Sequence, residues 1–141
     1  MDDPDLAIRN LTYSRFVELG RAPTAAEVSA SADLPASDVT AAWRRLHDAH
    51  ALVLFPGRDE IHMANPFSAV PTPYRVEAAG RSWFGNCAWD AFGICAALGV
   101  AGTISTECAD CGTEIEVSVR AEAPSDPTLL FHCLGDFWAL P

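Results

Sequence analysis

Apolar side chains recur at helical spacing through the N-terminal third of the chain and predict three helices. The first is expected from Asp5 to Leu19, where large apolar residues recur at roughly helical spacing. Thr24 precedes Glu27 by three residues, the capping-box spacing in which both side chains satisfy free N–H groups of a first helical turn. A second helix should follow from about Ala25 to Ala32, and a third from near Ser37 to about Ala49.

Shorter apolar runs follow and are typical of strands. The sequences LVLF and EIHM flank Pro56-Gly57 and predict a β-hairpin. Three helices followed by a hairpin are the pattern of a winged helix-turn-helix, whose third helix reads DNA. That helix carries Arg44 and Arg45, but acidic neighbours offset both charges, and phosphate contacts need a stronger positive field. We therefore interpret this lobe as a packing element and expect that DNA is not a partner.

The second half of the chain predicts a buried helix among antiparallel strands. Three prolines between Asn65 and Val76 indicate an extended connector with a short strand near its end. From Ala88 to Leu98 apolar and small residues are nearly continuous, which favours a helix that is buried on most sides and ends near Gly99. Further strands are expected at Thr103–Thr106, Glu114–Val119 and Leu129–Cys133.

These elements predict an α+β fold, with an N-terminal winged-helix-like three-helix lobe followed by a small lobe of antiparallel strands packed on a buried helix. The expected boundaries are 1–64 for the helical lobe with its hairpin, 65–80 for a proline-rich connector and 81–141 for the second lobe. A chain of 141 residues can bury a core without disulfides.

Charge and cysteine content exclude several classes of protein function. The formal net charge is −10 and all nine basic residues are arginine, so nucleic acid and anionic lipid surfaces repel the chain. Five cysteines cannot pair completely, which favours a reducing, cytoplasmic compartment and metal-binding or catalytic thiols. Apolar runs stay below the roughly 18–20 residues of a membrane span, so we expect no membrane association.

Cys87 and Asp90 give the sharpest chemical signal in the sequence. At i and i+3 of a helix they share one face, which sets a soft metal ligand beside a proton donor. The dipole of a helix favours a thiolate at its start, although most free cysteines are small buried side chains. Asp90 is either a proton donor or a hydrogen-bonding residue of the first turn. Cys95, farther along the same helix, is expected to pack in the core.

Cys108 and Cys111 have the spacing of a metal knuckle, in which a tight turn directs two sulfurs at one ion. Such a pair is half of a zinc site, and His132 with Cys133 could supply the other half. Adjacent residues of a strand point to opposite faces, so both would rarely bind the same metal. A bound transition metal, zinc or copper, and a plain structural turn stay open as alternatives.

The segment around Cys87 resembles the organomercurial (alkylmercury) lyases of bacterial mercury resistance. Those proteins follow a winged-helix-like lobe with a W/Y-x-x-C-x-x-D segment that leads into an apolar helix, and CAWDAF at 87–92 is similar. The family continues with a V-S-S-H-C-A-like strand, a turn and a strand, which ISTECADCGTEIEVSV at 104–119 resembles. Its F-C-C-like stretch ahead of two aromatics resembles FHC at 131–133, although His132 stands at the catalytic cysteine in the direct register.

The resemblance implies a reaction that needs no cofactor and takes an organomercurial as substrate. Two thiolates, Cys87 and Cys133, would bind the mercury, and Asp90 would deliver the proton that releases the hydrocarbon. Hg(II) would then leave to external low-molecular-weight thiols. Cys108 takes the place of a structural cysteine of the family, whereas Cys111 is an addition to its pattern, and the two together could catch the metal.

Two other functions are compatible with the same residues. One is a non-catalytic protein that binds a soft metal or an organometal at these thiols without turning it over. The other is a winged-helix regulator in which metal at the cysteines alters DNA affinity. A homodimer is also an open expectation, because a small second lobe could leave an apolar surface for a second copy to cover.

Overall fold

The computed structural model describes residues 3–120 and 123–130. Within them the chain has the α+β fold that the sequence predicts, with four helices and one eight-stranded antiparallel sheet. The helices are α1 (Asp3–Leu19), α2 (Ala25–Ala32), α3 (Ala36–Asp48) and α4 (Ala88–Leu98). The strands are β1 (Val53–Leu54), β2 (Ile61–Ala64), β3 (Phe67–Ser68), β4 (Arg75–Ala78), β5 (Arg81–Gly85), β6 (Gly102–Glu107), β7 (Glu114–Arg120) and β8 (Ala123–Pro124).

The capping box predicted for α2 is present. The Glu27 N–H donates to Thr24 Oγ1 at 3.2 Å, and the Glu27 carboxylate accepts the Thr24 N–H at 2.8 Å. Arg21 pairs with the same carboxylate at 2.6 Å. Because the first turn has its N–H groups satisfied by side chains, α2 begins where the sequence predicts.

A buried hydrogen bond ties α1 to α3. The indole N–H of Trp43 donates to Thr12 Oγ1 at 2.9 Å, and the Thr12 hydroxyl donates to the Ile8 carbonyl at 2.7 Å. Both side chains are almost completely buried. A bidentate pair between Arg45 and Asp5, at 2.9 and 2.6 Å, joins the same two helices nearer the surface.

Replacing Thr12 with valine should destabilise the fold. The valine side chain has nearly the same shape, but it leaves the buried Trp43 indole N–H without its acceptor, which typically costs about 1–3 kcal/mol. Urea unfolding measures the loss, and Thr40→Val is the matched control because the Thr40 hydroxyl donates to the carbonyl of Ser37 within α3 and joins no second helix among the described residues. Equal stability of the two variants would contradict this account of the helix contact.

One sheet, in the order β1-β2-β3-β5-β4-β6-β7-β8, runs through both parts of the chain. The segment 65–80, predicted as a connector, supplies β3 and β4. Phe67 of β3 stacks on Phe16 of α1 with ring centroids 5.2 Å apart, and Trp83 of β5 donates its indole N–H to the Phe16 carbonyl at 3.2 Å. Helices and sheet therefore share one core. The division into two lobes at 65–80 stays a prediction.

The apolar helix α4 lies on one face of this sheet, against β4, β5 and β6. It ends at Gly99 as predicted, in the left-handed conformation with φ 62°. Ala91, Ile94 and Cys95 are buried, whereas Trp89 is 71 % exposed. The prediction of burial on most sides was therefore wrong, because a single layer of strands covers only one side of the helix. The core position predicted for Cys95 is confirmed.

Other strand predictions met mixed outcomes. The pair at 103–106 and 114–119 is confirmed as β6 and β7, and the hairpin as β1 and β2. Leu129 and Leu130 lie in no strand, and the rest of the strand predicted there falls outside the described residues. In the part of the chain that the structure describes, no helix has the length and apolar character that crossing a membrane requires.

Candidate functional site

Cys87 and Asp90 both lie in the first turn of α4. Cys87 is the N-cap residue, with extended backbone angles of φ −150° and ψ 179°, and Asp90 is the acidic residue of the first helical turn. Both side chains are partly buried. The predicted thiol and carboxyl group are therefore brought together at the point where β5 passes into α4.

Gly85 permits the sharp passage from β5 into α4. A Cβ atom at this position would lie 2.7 Å from the Ala91 backbone nitrogen and 3.1 Å from the Cys87 carbonyl oxygen. The backbone of Gly85 is also held on both sides, since its N–H donates to the Tyr74 carbonyl at 2.9 Å and its carbonyl accepts the Thr72 hydroxyl at 2.6 Å. The start of α4 can pack this closely because Gly85 has no side chain.

Asn86 connects the site to the segment before β3. Its Nδ2 group donates to Asp90 Oδ2 and to Asn65 Oδ1, both at 3.1 Å, and lies 3.4 Å from the Pro66 carbonyl. Among the described residues its buried Oδ1 atom has no hydrogen-bond partner. Sequence reasoning missed this residue, although its position four residues before Asp90 was a signal for such a contact.

The pKa of the Cys87 thiol is raised, contrary to the expectation that the helix start would favour the thiolate. Burial is the largest cause, and the negative charge of Asp90 acts in the same direction. The backbone N–H groups of Asp90 and Trp89 oppose the shift, but the Cys87 side chain makes no capping hydrogen bond within α4. Desolvation and a like charge outweigh the helix dipole here, so Cys87 is held as a neutral thiol.

This shift predicts a pH dependence of Cys87 reactivity. The midpoint of thiolate formation should lie above that of an ordinary cysteine, and Asp90→Asn should move this midpoint to lower pH because the neighbouring negative charge is gone. Alkylation of Cys87 by iodoacetamide, followed by peptide mass spectrometry across pH, measures the midpoint. Asp48→Asn removes an exposed carboxylate of α3 and should leave it unchanged. If the midpoint in Asp90→Asn stays in place or rises, the Asp90 charge does not raise the pKa of Cys87.

Helix α1 also contributes to the surroundings of Asp90. The pKa of Tyr13 is raised, chiefly by burial and in part by the charge of Asp90. The Arg9 guanidinium lies over the Tyr13 ring, 4.5 Å from its centroid. This neighbour was not predictable from local sequence patterns, because Tyr13 and Asp90 belong to segments that are far apart along the chain.

Cys108 and Cys111 lie in the turn between β6 and β7. Cys108 is partly buried and Cys111 is exposed, and both are free thiols. The pKa of Cys111 is lowered, first by a hydrogen bond with the Thr113 side chain and further by the Thr113 backbone and the Cys108 side chain. Of the predicted site residues, these two therefore form a group of their own, apart from the first turn of α4.

The predicted zinc or copper site gains no support from the described residues. Across residues 3–120 and 123–130 no three His, Cys, Asp or Glu side chains gather as a metal-binding group. His132 and Cys133, which were expected to complete such a site or to supply the second thiol, lie outside the described residues.

The basic residues of α3 are engaged in ion pairs. Arg44 makes a bidentate pair with Asp59 of the β1–β2 loop, and Arg45 pairs with Asp5 of α1. Arginines that are neutralised in this way are poorly suited to phosphate contacts, and the exclusion of DNA as a partner stays a prediction.

Comparison with known proteins finds similarity to one protein family. Residues 67–132 match the family model described as MerB, alkylmercury lyase. Among solved structures, the mercury-bound form of MerB2 is similar, with a TM-score of 0.69 and 22 % sequence identity over 89 % of this chain and 60 % of that one. The chain thus spans 60 % of the length of that structure. A search of curated proteins found no match. The matched segment contains Cys87 and Asp90, so this part of the chain is similar to the alkylmercury lyases, and the fold of the chain agrees with that of the similar solved structure.

Proposed function

We propose that this chain cleaves the carbon–mercury bond of an organomercurial by protonolysis and yields a hydrocarbon and Hg(II). The observation that supports this best is the pairing of Cys87 and Asp90 in the first turn of α4, inside the segment that matches the family. A thiol alone would bind mercury. The carboxyl group beside it adds the proton donor that bond cleavage needs.

The raised pKa of Cys87 gives the reaction a defined proton source. The resting site carries its proton on the thiol, because burial and the Asp90 charge disfavour the thiolate. When R–Hg⁺ binds, the Hg–S bond replaces the S–H bond and the proton passes to the Asp90 carboxylate. Asp90 then gives this proton to carbon as the C–Hg bond breaks, so that R–H leaves and Hg(II) remains on sulfur. No oxidation or reduction is involved.

Asn86 positions the proton carrier in this scheme. Its amide holds Asp90 Oδ2 and is itself held by Asn65 and Pro66, so the carboxyl group is fixed relative to the sulfur before substrate arrives. Fixed orientation of a reacting group lowers the barrier because less motion is lost in the transition state.

A second thiolate would complete the mercury site. Added electron density on mercury weakens its bond to carbon, and two soft ligands hold the product more firmly than one. The resemblance assigns this role to Cys133, with His132 as the alternative in the direct register. Hg(II) would leave this pair by exchange with external thiols.

Release of benzene from phenylmercury tests the proposal. The protein is incubated with phenylmercury and an excess of a monothiol, and the headspace is analysed by gas chromatography. We expect benzene in an amount that exceeds the protein, because the external thiol removes Hg(II) and restores the site. Retention of phenylmercury on the protein without benzene would contradict cleavage and favour a protein that only binds organomercurials.

A further inference from the structure

The turn that carries Cys108 and Cys111 is closed by backbone hydrogen bonds. The Cys108 N–H donates to the Thr113 carbonyl at 2.8 Å, and the Gly112 N–H donates to the Cys108 carbonyl at 2.8 Å. Gly112 has φ +68°, a left-handed conformation that suits glycine and lets the chain reverse at this point. The backbone between β6 and β7 thus holds two cysteines in one short, closed turn.

The two thiols of this turn are near one another and accessible. Cys111 Sγ lies 3.1 Å from the Thr113 hydroxyl oxygen, and the closed turn keeps Cys108 and Cys111 three residues apart on one short loop. Cys111 is exposed, so a ligand can approach from solvent. Such a preformed dithiol can bind one ion through both sulfurs with little rearrangement.

Negative charge surrounds the dithiol. Glu107 and Glu114 are directly opposite each other where β6 and β7 enter the turn, and Asp110 lies between the two cysteines. Like charges at directly opposed positions destabilise a strand pair. A bound cation would relieve this repulsion, so the charge pattern favours a metal ion over an anionic ligand.

The number of ligands restricts which metal fits. The described residues place no third His, Cys, Asp or Glu with this pair in a metal-binding group. Zinc in structural sites takes four ligands, whereas thiolates select soft ions. Hg(II) is a soft ion that two thiolates satisfy in a linear arrangement, so this turn suits Hg(II) better than an ion that needs four ligands.

The turn lies at the same end of the sheet as the reacting cysteine. Arg75 of β4 is paired with Phe84 of β5 on one side and with Ser105 of β6 on the other. Cys87 follows Phe84 by three residues and Cys108 follows Ser105 by three residues. Strand spacing separates Phe84 and Ser105 by roughly 10 Å, and from these residues both segments run on toward the same end of the sheet.

We propose that Cys108 and Cys111 form a second mercury site, which chelates one Hg(II) ion as a bis-thiolate outside the Cys87 site. Two Hg–S bonds replace two S–H bonds, and both protons pass to solvent without any redox change. The site does not depend on carbon–mercury cleavage, since Hg(II) from any source can occupy it. It lies at the same end of the sheet as Cys87, the end at which Hg(II) would leave the reacting thiols.

Alkylation footprinting of a Cys87→Ser chain tests this site independently of activity. The reduced protein receives one equivalent of Hg(II) and an excess of a monothiol, is treated with iodoacetamide, and is analysed by peptide mass spectrometry. We expect Cys108 and Cys111 to be protected together by at least tenfold in alkylation rate. In Cys87→Ser/Cys111→Ser, Cys108 should react as fast with Hg(II) as without it, because one thiolate cannot compete with the monothiol.

Other outcomes of the same measurements decide whether Cys108 and Cys111 form this mercury site. Equal alkylation of Cys108 and Cys111 with and without Hg(II) would overturn the proposal, as would protection of Cys133 in place of the turn. Protection by Zn(II) that equals protection by Hg(II) would overturn the choice of a soft two-coordinate ion. Protection of the turn together with an absence of benzene from phenylmercury would uphold this site while it refutes the proposed lyase activity.

Discussion

Replacement of Asp90 by asparagine should abolish hydrocarbon release while the protein still binds the organomercurial. The amide keeps the size of the side chain and can still accept a hydrogen bond from Asn86, but it cannot carry the proton from sulfur to carbon. General acid catalysis typically contributes about 10²–10⁴-fold, so release of benzene from phenylmercury should fall by roughly that factor. Gas chromatography measures release, and mass spectrometry of the intact protein measures bound phenylmercury.

Two companion variants isolate the role of this carboxyl group. Cys87→Ser should lose both binding at this site and release, because the first mercury ligand is gone. Asp48→Asn, the same chemical change on an exposed part of α3, should keep full activity. Benzene release by Asp90→Asn at the wild-type rate would refute the assignment of Asp90 as the proton carrier.

Replacement of Gly85 by alanine should displace the start of α4 and disrupt the site. The new Cβ atom would lie 2.7 Å from the Ala91 backbone nitrogen. This is a steric clash, and backbone atoms must move to relieve it. Overpacking of this kind costs typically about 1–3 kcal/mol. Because the start of α4 carries Cys87 and Asp90, the shift should also reduce hydrocarbon release by up to about a hundredfold.

Gly93→Ala is the matched control for this variant. Gly93 lies within α4, and a Cβ atom there would meet a Pro66 side-chain carbon at 3.2 Å rather than backbone. Alanine also favours a helix over glycine by about 1 kcal/mol, which offsets the close contact. Thermal unfolding and benzene release should therefore stay near wild type. Equal behaviour of the two variants would show that the space at Gly85 does not control the site.

Local signals explain why much of the fold was predictable. The capping pair Thr24 and Glu27 marks the start of α2, and Gly99 marks the end of α4, since both act through residues that are close in sequence. The pairing of Cys87 with Asp90 was likewise readable from their spacing. In each case the chemistry depends on one helical turn and not on the packing of distant segments.

Features that depend on distant contacts were not predictable in the same way. The short strand β3 forms because the sheet offers it a partner on each side, whereas the prolines before and after it indicated only an extended segment. The raised pKa of Cys87 depends on burial that the sheet and helices create together, so the helix-dipole argument alone gave the opposite sign. The role of Asn86 required the approach of Asn65 and Pro66, twenty residues earlier in the chain.

Methane produced from methylmercury in D₂O is the most direct test of protonolysis at Cys87 and Asp90. The hydrogen that reaches carbon passes through exchangeable groups, so mass spectrometry of the headspace should find singly deuterated methane, one molecule for each Hg(II) formed. The Asp90→Asn protein should yield almost none. Methylmercury that remains intact on the wild-type protein, with no methane above the level of Asp90→Asn, would contradict the account.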